Sequence, residues 1–393
     1  MLDSKLVLLT VVELLASPLL VAAEEGKSPS GDVLWVAERS PYKFATFDCA
    51  RHTTTPSRIV VRGVVELHHP DDKSDSLVAP EITVRCDRVF FESGSKLLTR
   101  AGLSIRAEQT LGGAIVIESN RGVKGADASE GSVVAYGPAE NGRPGSSGAN
   151  GEDARADLAG SRPSSAGERG GRGFDGAPGR IGVPGSNGVG GSDGTPIALR
   201  VVSFAPGTTI YLMSRGGDGG KGARGGQGQP GGNGGDGGPG GRGGRANEFH
   251  SGSPGGHGGD GGAGGNGGNG GKGGDGGSGG QGGNLAVLLL VKDPTSAGVP
   301  PAEMEFHNEG GRGGDPGLGG SSGPGGRGGR AGAGGSGGQQ GYTWAGTNNL
   351  GAGASGQSGA AGQSGQPGTL GLYGRDGAPG LRGTSKLAVI LEK

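Results

Sequence analysis

Residues 255–283 read GGHGGDGGAGGNGGNGGKGGDGGSGGQGG, with glycine at two positions in three and no exception. A three-residue period fits a polyproline-II-type helix, which has three residues per turn and a rise of ~3.1 Å. Such a helix makes no internal hydrogen bonds, so its N–H and C=O groups need water or a neighbouring chain. Glycine lets neighbours approach closely enough to supply them. The third position then points outward. Here it carries His, Asp, Ala, Asn, Lys, Ser and Gln, as a solvated face should.

Three structures suit such a stretch: a disordered linker, a collagen strand and a folded bundle. Ordering each residue costs ~1–2 kcal/mol, and glycine loses the most. A folded form therefore needs a dense hydrogen-bond array and a scaffold that fixes the ends. The chain has 393 residues, 100 of them glycine, with 31% hydrophobic and 4% aromatic content. That composition argues against one large hydrophobic core. A net charge of −1 points to neither nucleic acid nor an acidic membrane surface.

Matched lengths separate a linker from a bundle. From Gly216 to Gly244 glycine leads ten successive triplets, the last cut after two residues, RANEFHSGSP follows, and the period returns over 255–283; both stretches have 29 residues. Farther on, 311–341 and 353–383 flank YTWAGTNNLGA, and both have 31 residues. The stretch 167–194 is periodic throughout, whereas its partner, about 122–151, is degenerate, with Ala128, Val134 and Glu140 at expected glycines. Two rods lying side by side require equal lengths; a linker does not.

Between these stretches lie short β-branched runs. Strands are expected at 33–36, 58–67, 82–85, 89–91, 96–98, 103–106 and 114–117. One set of similar runs is ITVRCD (82–87), LSIRAE (103–108), AIVIES (114–119), IALRVV (197–202), LAVLLL (285–290) and KLAVILE (386–392). A second set is SKLLTRAG (95–102), TIYLMSRGGDGG (209–220) and EMEFHNEGGRGG (303–314). The unit is strand, turn, strand and a glycine-marked exit, and from Ile82 to Leu103 it closes in 21 residues. The expected fold is all-β: a small β-solenoid base carrying three inserted glycine-rich hairpins of polyproline-II type, six arms in all. The expected division is a signal peptide over 1–23, a β-rich start of the solenoid over 24–119, and glycine-rich insertions within 120–385. These insertions run over 120–196, 215–284 and 309–385. Scaffold strands lie at 197–214 and 285–308, and a final strand at 386–393.

GGNGGDGGPGGRGG (231–244) and the stretch at 255–283 resemble polyglycine-II bundle proteins, such as snow-flea antifreeze protein and the glycine-rich domains of phage tail-fibre adhesins. By composition they also resemble the mycobacterial PGRS tracts. The resemblance covers only the arms, roughly 120–383, and it implies a folded bundle with either an adhesive or an ice-binding role. GRDGAPGLRG (374–383) and GAPGRIGVPG (176–185) look collagen-like, but 23 prolines in 393 residues fall below the ~15–20% expected of collagen.

MLDSKLVLLTVVELLASPLLVAA (1–23) reads as a secretory signal peptide ending in Val21-Ala22-Ala23. Asp3 and Glu13 leave an uncleaved membrane anchor as the alternative, and no later apolar run approaches the ~20 residues of a membrane span. Export would put Cys49 and Cys86 in an oxidising space, where one disulfide or two buried thiols are the alternatives. HHPDD (68–72) offers imidazoles and carboxylates but reads as a polar loop turned by Pro70. Calcium-repeat and Walker patterns fail at Asp218, Asp275 and Lys272. No catalytic constellation, metal site or cofactor is expected. The loops between paired arms are the expected binding residues: Phe249 and His250 in one, and Tyr342, Trp344, Asn348 and Asn349 in another. They serve equally as plugs at the bundle end. The expectation is a secreted or cell-surface, non-enzymatic structural or adhesive protein with an unknown extracellular ligand. An ice-binding protein and a collagen-like coat component are the alternatives.

Overall fold

The computed structural model describes residues 32–51, 58–71, 80–119, 122–129, 137–157, 160–291, 299–342 and 349–391. Its regular structure is almost entirely β. Before the first glycine stretch come β1 (Val33–Val36), β2 (Tyr42–Lys43), β3 (Thr46–Asp48), β4 (Arg58–Arg62), β5 (Val64–His68), β6 (Glu81–Phe91), β7 (Lys96–Thr99) and β8 (Gly102–Ser119). After it come β9 (Arg155–Asp157), β10 (Gly160–Arg162), β11 (Ile197–Phe204), β12 (Thr209–Met213), β13 (Leu285–Val291), β14 (Glu303–His307), β15 (Gly341–Tyr342), β16 (Asn349–Leu350) and β17 (Ser385–Leu391).

Thirteen of these strands form one curled parallel sheet of the β-solenoid-like kind. One face stacks β3, residues 81–86 of β6, 102–107 of β8 and 197–201 of β11 with β13 and β17, while β1 and β4 stack past the corner on residues 88–91 of β6, beside 110–113 of β8 and 203–204 of β11, as a strip between that face and the second. The second runs β2-β5-β7-β8-β12-β14, and β8 belongs to both because it bends from one to the other. The step from β6 to β8 pairs Ile82 with Leu103, the 21-residue coil read from the sequence.

Side chains that repeat from coil to coil stack into buried ladders. Ile82, Leu103, Ile197 and Leu285 form one, and Val84, Ile105, Leu199 and Val287 another; all are 0–1% exposed. On the second face, Val65, Leu97, Ile117 and Leu212 align in the same way. Each such burial contributes about 1.5–3 kcal/mol, so a low apolar content suffices where it is concentrated. One end of the stack is closed by aromatic rings: Trp35, 1% exposed, packs edge-on against Phe47 at 5.3 Å and tilted against Phe44 and Tyr42. Cys49 and Cys86 are joined by a disulfide in this core, with Cα atoms 5.0 Å apart.

Three expectations about strands are corrected. The run 58–67 is two strands, broken at Gly63, whose φ of +73° turns the chain at a corner of the coil. The runs 82–85 and 89–91 form one strand, because the corner between them is a register shift at Cys86/Arg88 rather than a turn. AIVIES at 114–119 belongs to the second face, where Ile117 pairs with Leu97 and Leu212. Its resemblance to the first set reflects alternation shared by any half-buried strand.

The described glycine stretches contain neither helix nor strand, but their backbones are bonded to one another. Numbered in chain order, the six segments are 122–151, described over 122–129 and 137–151, then 167–194, 216–244, 255–283, 310–340 and 353–383. From Gly216 to Gly243 every third N–H of the third segment donates to a carbonyl of the fifth, from Glu309 to Ser336, in parallel register. From Gly256 to Gly280 every third N–H of the fourth donates to the third, from Gly241 to Gly217, in antiparallel register. The same pattern puts the first, third and fifth segments in one layer and the second, fourth and sixth in another. The third and fourth each bond to four others, whereas the first and sixth each bond to two.

The layers continue the coil. Gly282 N–H donates to Leu381 and Leu285 N–H to Thr384 with the same offset, so the fourth and sixth segments run into β13 and β17 without a change of register. At the junction Ser119, Thr195, Ser214 and Asn308 are buried, and Ser214 Oγ donates to Thr195 O at 2.6 Å. The degenerate first segment is two periodic halves out of phase. Ala128 and Ala139 donate to Lys221 and Pro230, so eleven residues on one side match nine on the other.

Candidate interaction site

The ends of the segments far from the coil gather three loops. In the loop after the first segment, β9 and β10 pair antiparallel, Arg162 opposite Arg155. In the loop after the third, Asn247 Oδ1 accepts the N–H groups of Phe249 and His250 at 2.9 and 2.8 Å, and Asn247 N–H donates to His250 O at 3.0 Å. This turn leaves Phe249 61% exposed. After the fifth segment, β15 and β16 pair Tyr342 with Asn349. Trp344 and Asn348 lie outside the described residues.

Hydrogen bonds join the three loops. Ser164 Oγ, after the first, donates to Ser251 O at 2.9 Å. Ala246 N–H donates to Gln339 O, and Gly252 N–H to Gly351 O, both at 3.0 Å. Phe249, His250, Tyr342 and Asn349 thus belong to one end of the molecule. His250 Nε2 and Asn247 Nδ2 are buried there without a hydrogen-bond partner among the described residues.

At the opposite end, where segments leave the coil, a cleft of about 640 Å³ is lined by Lys124, Met213, Arg215, Asp218, Glu309 and Arg312 among others. Arg215 Nε donates to Glu309 Oε2 at 3.0 Å, and the His307 ring packs at a tilt against Tyr211, with centroids 4.9 Å apart. The Glu309 carboxyl is held below its usual range by its own backbone N–H and by Arg215. The imidazoles of the HHPDD loop are engaged locally: His68 Nε2 lies 3.2 Å from Glu66 Oε2, and His69 Nδ1 accepts the Asp71 N–H. Among the described residues no three His, Cys, Asp or Glu side chains are grouped to hold a metal ion. Among them, too, no helix is long and apolar enough to cross a membrane.

One functional set was not read from the sequence. Asp and Asn at third positions are more than a solvated face. Asn233 Oδ1 accepts Arg327 N–H at 2.9 Å, Asp236 Oδ1 accepts Arg330 N–H at 2.7 Å, and Asp260 Oδ1 accepts Ala360 N–H at 2.8 Å. Asn266 and Asn269 do the same for Gln366 and Thr369. These acceptors reach N–H groups that the glycine lattice leaves over. The signal was present as Asp and Asn recurring at a multiple of three, but the partner stands about a hundred residues away.

No family model matches this chain, and no curated protein matches it. Among solved structures, the springtail antifreeze protein from Granisotoma rainieri, described as a nine polyproline type II helical bundle, is 26% identical over 49% of this chain and 94% of its own. The TM-score is 0.09, so the two structures do not superpose and nothing about this chain follows from the likeness.

Proposed function

We propose that this chain is a secreted or surface-exposed, non-enzymatic adhesive or structural protein. The β-coil is its base, the six glycine segments form a stiff bundle of three polyproline-II-type hairpins, and the three loops at the far end are its contact surface. The observation that carries this reading is the hydrogen-bond lattice, which ties the segments together at every third residue and brings the loops to one end. A bond at every third residue is what a helix with three residues per turn requires of its neighbours. Lateral bonding on up to four sides resists bending, so the loops are held at a distance from the coil. The ligand is met by Phe249, which is exposed, and His250 in one loop, and by Tyr342, Trp344, Asn348 and Asn349 in the loop sequence after the fifth segment.

The test is binding of the full chain to cells, glycan arrays or matrix proteins, with Phe249, Tyr342 and Trp344 replaced by Ala together. Loss of an aromatic anchor costs on the order of 2 kcal/mol or more, a drop in affinity beyond about tenfold. Unchanged binding by a variant whose circular dichroism matches the parent would remove the loops from the contact surface.

A further inference from the structure

Six asparagines of this chain are followed by glycine: Asn141, Asn150, Asn187, Asn233, Asn266 and Asn269. Asn-Gly ordinarily marks a turn, yet all six lie within glycine segments, with their side chains exposed to water. Asparagine is a chemically labile residue, and most so before glycine, which puts no side chain in the way of its own nitrogen. In the reaction the glycine nitrogen loses its proton and attacks Cγ of the asparagine. A C–N bond forms, the bond from Cγ to the amide nitrogen breaks, and that nitrogen leaves as ammonia with the proton the glycine lost. Water then opens the cyclic imide at either carbonyl, which gives aspartate or isoaspartate. In this chain every such pair is engaged in the same way. Asn233 Oδ1 accepts the Arg327 N–H at 2.9 Å, and Gly234 N–H donates to the carbonyl of that same Arg327 at 2.8 Å. Asn141 with Gly142 holds Asn233 in this manner, Asn150 with Gly151 holds Arg242, and Asn187 with Gly188 holds Asp275. Asn266 with Gly267 holds Gln366, and Asn269 with Gly270 holds Thr369.

We propose that these six Asn-Gly pairs are latent deamidation sites that the lattice keeps closed, so that the chain is modified there only where a segment has come away from its neighbour. Two bonds hold each pair. The glycine nitrogen must lose a proton that a carbonyl is holding, so, like amide hydrogen exchange, the reaction waits for local opening. The side-chain oxygen is tied to an N–H, so turning Cγ toward the glycine nitrogen breaks that bond as well. Exposure alone predicts the reverse, because water reaches all six side chains. Closure also protects the bundle. Isoaspartate carries the main chain through Cβ and adds an atom to it, which would put the later N–H groups of a segment out of step with their acceptors. The rows of Asn that cross-link the segments therefore persist only while the pairs stay closed. Asp218, Asp236 and Asp260, which reach the same imide by losing water, hold Arg312, Arg330 and Ala360 with their following glycines in the same arrangement.

Incubation of the full chain at mildly alkaline pH, followed over time by mass-spectrometric peptide mapping, tests this. Each of the six should deamidate about tenfold or more slowly in the folded chain than in the same chain unfolded in guanidinium, since two hydrogen bonds must open first. Arg327→Pro removes the N–H that holds Asn233 and keeps the carbonyl that holds Gly234. Proline already stands one triplet earlier in the same row, at Pro324. Arg327→Ala keeps both groups and serves as the control. Asn233 should deamidate about fivefold faster or more in the proline variant than in the alanine variant, the worth of one hydrogen bond. Asn150 and Asn187, which hold other residues, should stay slow in both. If proline loosens the whole bundle, all six speed up together, and the folded and unfolded parent chains still decide. Equal rates in those two states would overturn the proposal. So would an Asn233 that is no faster with proline than with alanine at position 327 while Asn150 and Asn187 stay slow.

Discussion

At the scale of single residues, the least expected feature is the work done by short carboxylates and amides on an exposed surface. Asp127, Asp260 and Asp275 each accept a backbone N–H from a neighbouring segment, from Lys221, Ala360 and Arg375. Their carboxyls are held below the usual value of 3.8. The Lys221 N–H is the main cause for Asp127, the Ala360 N–H for Asp260, and the Lys272 ammonium followed by the Arg375 N–H for Asp275. The sign follows from linkage: the unfolded chain takes up protons first, so this stabilisation is complete above the usual value and is lost as pH falls through the lowered folded ones. Thermal midpoints measured from neutral pH down to acid should therefore fall below about pH 4. Replacing all three by Asn keeps the accepting oxygen, as in Asn141, Asn233 and Asn266, and removes the titration. The decline should then be shallower, and an unaltered acid profile would contradict the assignment. The Asp and Asn content was plain in the sequence. Its purpose was not, because each acceptor and its donor meet only after the segments are aligned.

At the scale of elements, the number of neighbours explains why glycine density differs between segments. Of the segments bonded on four sides, the fourth carries two glycines in every triplet and the third in all but those at 222–224 and 228–230, whereas the sixth, bonded on two, carries one. A Cβ at Gly265 would overlap the carbonyl oxygen of Ala177, and one at Gly264 that of Gly326, so both glycines of that triplet are held between neighbours. At Gly226 the nearest atom to such a Cβ is the Val183 nitrogen at 3.0 Å, and nearby positions of the same row hold Ala223 and Gln229. Gly265→Ala should lower stability by about 1–3 kcal/mol, as overpacking does. Gly351→Ala, where a Cβ meets nothing within 4 Å, should be nearly neutral. Denaturant unfolding of both variants checks this, and equal effects would mean that the segments are not packed as described. Strand positions were mostly legible, since β-branched alternation is local. The assignment of 114–119 to a face was not, because a strand's column depends on the corners before it, here Gly112 and Gly113.

For the whole molecule, the register runs continuously from the coil into the segments. With the polyproline-II-type helices proposed above, a 29-residue segment spans roughly 90 Å at ~3.1 Å per residue. Small-angle scattering should give a radius of gyration of roughly 30–40 Å per chain, between the ~21 Å of a compact globule and the ~72 Å of an unfolded chain of this length. A value near the upper figure would mean that the segments are disordered.

The amino-acid sequence by itself determined the period of the segments, their matched lengths and the 21-residue coil, because each follows from local repetition. Tertiary structure decided which segment lies beside which, why two of them need twice the glycine, and where Asp and Asn find their donors. The physical reason is that a glycine backbone has no internal partner. Its hydrogen bonds are all made to other parts of the chain, and their pairing exists only once those parts are stacked.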